Sequence, residues 1–234
     1  MSIHEDVEDI RNGLKTSRYT NEAAVSQGVV LRILNALGWP IFDSSCVWPE
    51  YQLDNGRADF ALCHPALKPL VILGAKMVGK AEGAERQLFT YAFHQGIPMV
   101  ILTDGREWRF FLPAERGDYE ERCVYTLDLV ARTTEECCRV LERYLGYTQT
   151  QTGETLKNAR DDYQNVTRKR QIGEALPQAF RALISEQDPK LVDLIAEKVA
   201  ALCGFKPELD AVVSYLEGHH CSGPPCQEKS GGFL

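Results

Sequence analysis

No run of about 18 apolar residues occurs in this 234-residue chain, so no segment suits a membrane-spanning helix. Basic residues are in deficit, 26 Lys and Arg against 33 Asp and Glu, for a net charge of -7. A protein that binds polyanions over its whole surface needs clustered cations to release counterions, so any contact with nucleic acid must be local. The eight cysteines, at 46, 63, 123, 137, 138, 203, 221 and 226, include no Cys-x-x-Cys pair. A chain of this length needs no staples, and the cysteines are expected to be reduced. No Gly-x-x-x-x-Gly-Lys-[Ser/Thr] phosphate loop is present, which excludes nucleotide-driven translocation by this chain. The first residues carry neither a basic head nor an apolar run, which gives the expectation of no export signal and a cytoplasmic protein. Internal repeats and low-complexity tracts are also missing.

What is present is an ordinary globular composition, 44% hydrophobic and 25% charged with a mean hydropathy of -0.27. Residues 5–37 read as two helices, the second with Ala24, Val25, Val29, Ile33, Leu34 and Leu37 at helical spacing and a stop at Gly38. From residue 41 the period changes. Segments 41–51, 57–63, 70–75, 99–103 and 108–112, rich in Val, Ile, Phe and Trp, are predicted strands. Asn55-Gly56 and Asp104-Gly105 predict hairpin turns. The helical stretch 81–95 predicts parallel strands on either side of it. Beyond Thr133 the pattern is helical, over 133–145, 153–185 with a break at Pro177, 189–203 and 207–216, and a Gly-, Pro- and Ser-rich tail is expected to be loose. The prediction is an α/β fold: a domain over 1–130 with a central mixed β-sheet flanked by helices, a helical C-terminal extension over 131–217, and a tail over 218–234.

Three polar features stand where apolar residues would be expected. Asp59 interrupts the strand 57–62, Lys76 ends the apolar strand 70–75, and Gln87 and Tyr91 share a face of the following helix. A carboxylate and an ammonium at one sheet rim suit metal-assisted phosphodiester hydrolysis. Mg²⁺ needs few protein oxygens beside water and phosphate, and a lysine can offset charge growing on the phosphate. An ordinary Asp59–Lys76 ion pair accounts for the same two residues equally well.

An ordered set of motifs carries a resemblance. It comprises Asn21-Glu22-Ala23-Ala24-Val25, Leu34-Asn35-Ala36-Leu37-Gly38-Trp39, Gly56-Arg57-Ala58-Asp59-Phe60-Ala61-Leu62, Gly74-Ala75-Lys76, Gln87-Leu88-Phe89-Thr90-Tyr91 and Leu102-Thr103-Asp104-Gly105-Arg106-Glu107-Trp108-Arg109-Phe110. Over residues 5–113 the chain resembles the PD-(D/E)XK nuclease core, most nearly the N-terminal nuclease region of type I restriction enzyme R subunits and their stand-alone relatives. The resemblance implies a restriction-endonuclease-like core and a Mg²⁺- or Mn²⁺-dependent hydrolase of a restriction-modification system, acting on DNA. It implies Asp59 as metal ligand, Lys76 as catalytic lysine, the Ala75 carbonyl as a further metal ligand, and Glu22 as a ligand to the metal or its water. Gln87 and Tyr91 would orient the lysine or touch DNA. Separately encoded helicase or methyltransferase subunits would be its partners, and a homodimer would supply the two sites that cutting both strands needs.

One departure stands out: where the family carries Glu or Asp two residues before the lysine, this chain has Gly74. The acid has migrated to Glu82, Glu85 or Glu22, or the chain is an inactive relative kept for DNA binding or complex assembly, or the glycine is an engineered change. Other features carry blander readings. The cations around Arg168-Lys169-Arg170 read as a solvated helix face, and Arg57, Lys80, Arg86 and Arg106 are better placed to contact a DNA backbone. His219, His220, Cys221 and Cys226 match no zinc-ligand spacing. The tryptophans are expected to pack, and Cys137-Cys138 to divide between core and surface.

Overall fold

The computed structural model describes residues 2–53, 56–79 and 85–220, with the side chains of 85–87 and 219–220 left aside. The N-terminal helix α1 (Ile3–Lys15) opens on a capping box in which Ser2 and Glu5 satisfy each other's backbone amides. Asn21 caps α2 (Glu22–Val25), which runs through a π turn (Ser26–Val30) into α3 (Leu31–Ala36). Gly38, at φ 89°, lets the chain leave the helix in the left-handed region, as its position predicted.

A six-stranded sheet follows in the order β1 (Val47–Leu53), β2 (Gly56–Cys63), β3 (Pro69–Ala75), β4 (Met99–Thr103), β5 (Glu107–Phe111), β6 (Cys123–Asp128). All neighbours are antiparallel except β3 and β4, which are parallel and joined through α4 (Glu85–His94), so the sheet is mixed. The first strand begins six residues later than the sequence suggested. Asp43 accepts from the amide and hydroxyl of Ser45 in a turn that holds residues 41–46 out of the sheet. Strand β6 was missed altogether; its apolar alternation is short and follows an acidic 3₁₀ turn, Glu120–Arg122.

Two apolar layers cover the sheet. On one face Phe60, Leu62, Val71, Leu73 and Ile101 meet α1, α3, α5 (Thr134–Leu145) and the start of α7 (Glu154–Ser185). On the other Ala61, Ile72, Val100 and Leu102 meet Leu88, Phe89 and Ala92 of α4. Trp39 and Trp108 are packed as expected, with the Trp39 indole donating to the Leu145 carbonyl at 2.7 Å, whereas Trp48 is 38% exposed. Cys137 and Cys138 are both buried, not one in and one out, because α5 lies in the core layer through both. The six described cysteines carry free thiols.

The chain forms two compact units, residues 1–167 and 168–234. The short α6 (Tyr147–Gln151) was not anticipated. The second unit holds the rest of α7, α8 (Pro189–Cys203) and α9 (Leu209–His220) around a small core of Val192, Ala196, Val212 and Leu216. Contrary to the predicted break, α7 continues through Pro177. Proline removes one helical hydrogen bond and crowds the carbonyl four residues back, at a cost of about 3 kcal/mol. Helix α9 reaches His220, so the beginning of the supposed tail is helical; Cys221 onward, with Cys226, lies outside the described residues. Among the described residues no helix is long and apolar enough to cross a membrane.

Candidate active site

The ladder between β2 and β3 runs from Cys63 to Phe60, which pairs with Leu73, and goes no further. Asp59 is the next residue, so its side chain stands where the two strands part. Its Oδ2 accepts a hydrogen bond from the Ala75 amide at 2.8 Å, taking the place of a ladder bond. Burial pushes the Asp59 carboxyl above the ordinary range; the Ala75 N–H and the Lys76 ammonium oppose this, while the Glu22 and Glu50 charges add to it. All four groups therefore act on Asp59 electrostatically.

Lys76 is the first residue past β3, its amide held by the Thr103 carbonyl at 2.8 Å. Its Nζ lies 3.1 Å from Glu22 Oε1, with the two side chains 31% and 54% exposed. Glu22 is the first residue of α2, where the free amides of the helix start favour a negative charge. The sequence thus named three residues that do share one rim. A cavity of about 330 Å³ is lined by Leu14, Ser17, Tyr19 and Thr20 before α2 and by Met77 and Val78 after Lys76; Asp59, Lys76 and Glu22 are not among its lining residues.

The other candidates fall differently. Tyr91 packs its ring over β2 at Gly56, where an added Cβ would meet its Cε2 at 3.1 Å. Gln87 lies on α4, but its side chain, like that of Glu85, is outside the described residues, and so is Glu82 altogether. Arg57 pairs with Glu50 at 2.6 Å and Arg106 with Asp128 at 2.8 Å, so both are held by surface acids; Lys80 and the Arg86 side chain lie outside the described residues.

Gly74 is tightly enclosed. A Cβ there would come within 2.8 Å of a Leu88 methyl and 3.2 Å of a Leu102 methyl, both on the α4 side of the sheet. The space an acidic side chain would need is filled by leucine.

Two contributors escaped the sequence reading. Glu50, at φ 53°, sits in β1 between Pro49 and Tyr51, whose partners are Phe60 and Ala58, and so stands across from Asp59. Its place after Pro49 gave no signal, since only strand pairing brings it there. Asp104 carried no site signal of its own in the sequence, only that of a turn motif. It is buried, and its Oδ1 accepts from the amides of Arg106 and Glu107 at 2.9 and 2.7 Å while its Oδ2 accepts from Gly79 at 2.8 Å. It fastens the segment after Lys76 to the β4–β5 turn.

Among the described residues no three His, Cys, Asp or Glu side chains are gathered closely enough to hold a metal ion. The available donors on the rim are nonetheless hard oxygens, the Asp59 and Glu22 carboxylates and the Ala75 carbonyl, the type that Mg²⁺ and Mn²⁺ prefer. No known protein family, curated protein or solved structure matches the chain.

Proposed function

We propose that the chain is a restriction-type, divalent-metal-dependent DNA endonuclease of the PD-(D/E)XK kind, with a second carboxylate drawn from outside the usual strand position. The reading rests on one observation: Asp59, held where β2 and β3 separate, shares its rim with Lys76 and Glu22. Asp59, Glu22 and the Ala75 carbonyl would hold the cation. A bound Mg²⁺ or Mn²⁺ would polarise the scissile phosphate and acidify water. Lys76 would offset the charge that grows on the phosphate oxygens. Glu22 must then exchange its contact with Lys76 for the metal, a cheap exchange because a pair this exposed is worth at most about 1 kcal/mol. The Ala75 amide keeps Asp59 oriented, and Asp104 keeps the segment after Lys76 in register.

Purified protein should cut duplex or single-stranded DNA with Mg²⁺ or Mn²⁺. Lys76→Ala should reduce the rate on the order of 10²–10³-fold, as loss of a transition-state charge stabiliser does. No cleavage with any divalent metal would refute the reading.

A second reading has its own support. The leucine-filled space at Gly74 is what a nuclease fold retained only for DNA binding or complex assembly would be free to acquire. That reading expects salt-sensitive DNA binding without hydrolysis.

A further inference from the structure

The second half of α7 stands almost unsupported. Residues 171–180 are exposed without interruption, in a stretch that contains both Gly173 and Pro177, two residues that disfavour an isolated helix. Yet one stripe of it is apolar: Ile172, Leu176, Phe180 and Leu183 are 52, 63, 60 and 40% exposed. Ile172, Leu176, Ala179 and Leu183 follow the alternating four- and three-residue spacing of a seam that meets another helix. Extending the same spacing one step each way reaches Lys169 at one end and Glu186 at the other.

We propose that this stripe is the interface with a second copy of the chain, formed by two α7 helices running antiparallel. The charges decide both the partner and the direction. An antiparallel pair centred between Pro177 and Gln178 sets Lys169 against the partner copy's Glu186, twice by symmetry, and the basic run Arg168-Lys169-Arg170 against the acidic Glu186 and Asp188. Within the seam Ile172 then faces Leu183 and Leu176 faces Ala179, a large residue against a small one at the centre. A parallel pair would bring like charges together at both ends. The isologous arrangement is also the commonest way for a chain to meet its own copy. The contact holds α7 helical across Gly173 and Pro177, and it does not depend on the proposed reaction.

Sedimentation or light scattering on the full chain, from low to high micromolar, tests this. A dimer is expected. Leu176→Glu, on an exposed site that does not disturb the monomer's core, should raise its dissociation constant about 100-fold, since each dimer loses two buried apolar contacts. Lys169→Glu should weaken the dimer, and Lys169→Glu combined with Glu186→Lys should restore it. A chain that stays monomeric throughout overturns the proposal, with the stripe then left to a different protein or to the C-terminal residues. A dimer indifferent to Leu176→Glu overturns it also. Failure of the double variant to restore the dimer overturns the antiparallel register.

Discussion

Asp59 is the residue on which the site turns, and its environment works against its own charge. Burial raises its carboxyl in the folded chain, so the folded state holds the proton more tightly than the unfolded one. A raised carboxyl contributes stability below its unfolded value and loses it as pH rises through the folded value, so at neutral pH the ionised Asp59 is a net burden. Asp59→Asn keeps an oxygen for the Ala75 amide and sheds the charge. Its melting temperature should equal or exceed that of the parent at pH 7, with the gap closing as the medium is acidified below the ordinary aspartate range. A parent that melts higher at pH 7 would show that the Lys76 and Ala75 contacts outweigh burial. Gly74 answers to a different force. An acid restored there must displace the Leu88 and Leu102 methyls and enter an apolar wall. Overpacking of this kind costs about 1–3 kcal/mol, and Gly74→Ala in a denaturant melt should fall in that range. Leu88→Ala in the same chain should recover part of the crowding term; a neutral Gly74→Ala would mean the leucines move aside freely.

At the scale of elements, the β4–β5 turn is tied to the segment after Lys76 by one buried carboxylate with three amide donors. Asp104→Ala leaves those amides to find other partners, and a loss of about 3 kcal/mol or more is expected, as for hydrogen bonds to a charged group. Hydrogen exchange at Gly79 should accelerate in the variant, and an unchanged Gly79 would dissociate the turn from the lysine segment. The same element shows how far sequence could reach. Thr103-Asp104-Gly105 announced a turn because glycine at φ 87° and an aspartate that accepts from amides two and three residues on are local chemistry. The bond from Asp104 to Gly79 is not local and left no mark. The same division holds elsewhere. Four strands and the helical spans had periodicity to reveal them, but the displaced start of β1 and the edge strand β6 were decided by a turn and a short alternation, and α7 runs on through Pro177 against its local preference. In the site, Asp59 and Lys76 were legible as polar interruptions of apolar patterns, and Glu22 only through the resemblance that its motif carries. Glu50 became a neighbour of Asp59 only through the register of β1 on β2.

For the whole molecule, acidity and a local site must coexist. With a net charge of -7, DNA could approach only where cations are concentrated, and binding should fall with added salt in proportion to the number of phosphates contacted. Binding that ignores salt would count against a phosphate-reading surface. The central claim is that Asp59, Lys76 and Glu22 act together on a phosphodiester, and the most direct measurement compares Mn²⁺-supported cleavage of duplex DNA by the parent and by Asp59→Asn at pH 7, with the folded state of each verified by thermal melting. The account predicts that the variant melts no lower than the parent yet cleaves at least about 100-fold more slowly. Cleavage at the parental rate by a folded Asp59→Asn chain would contradict it.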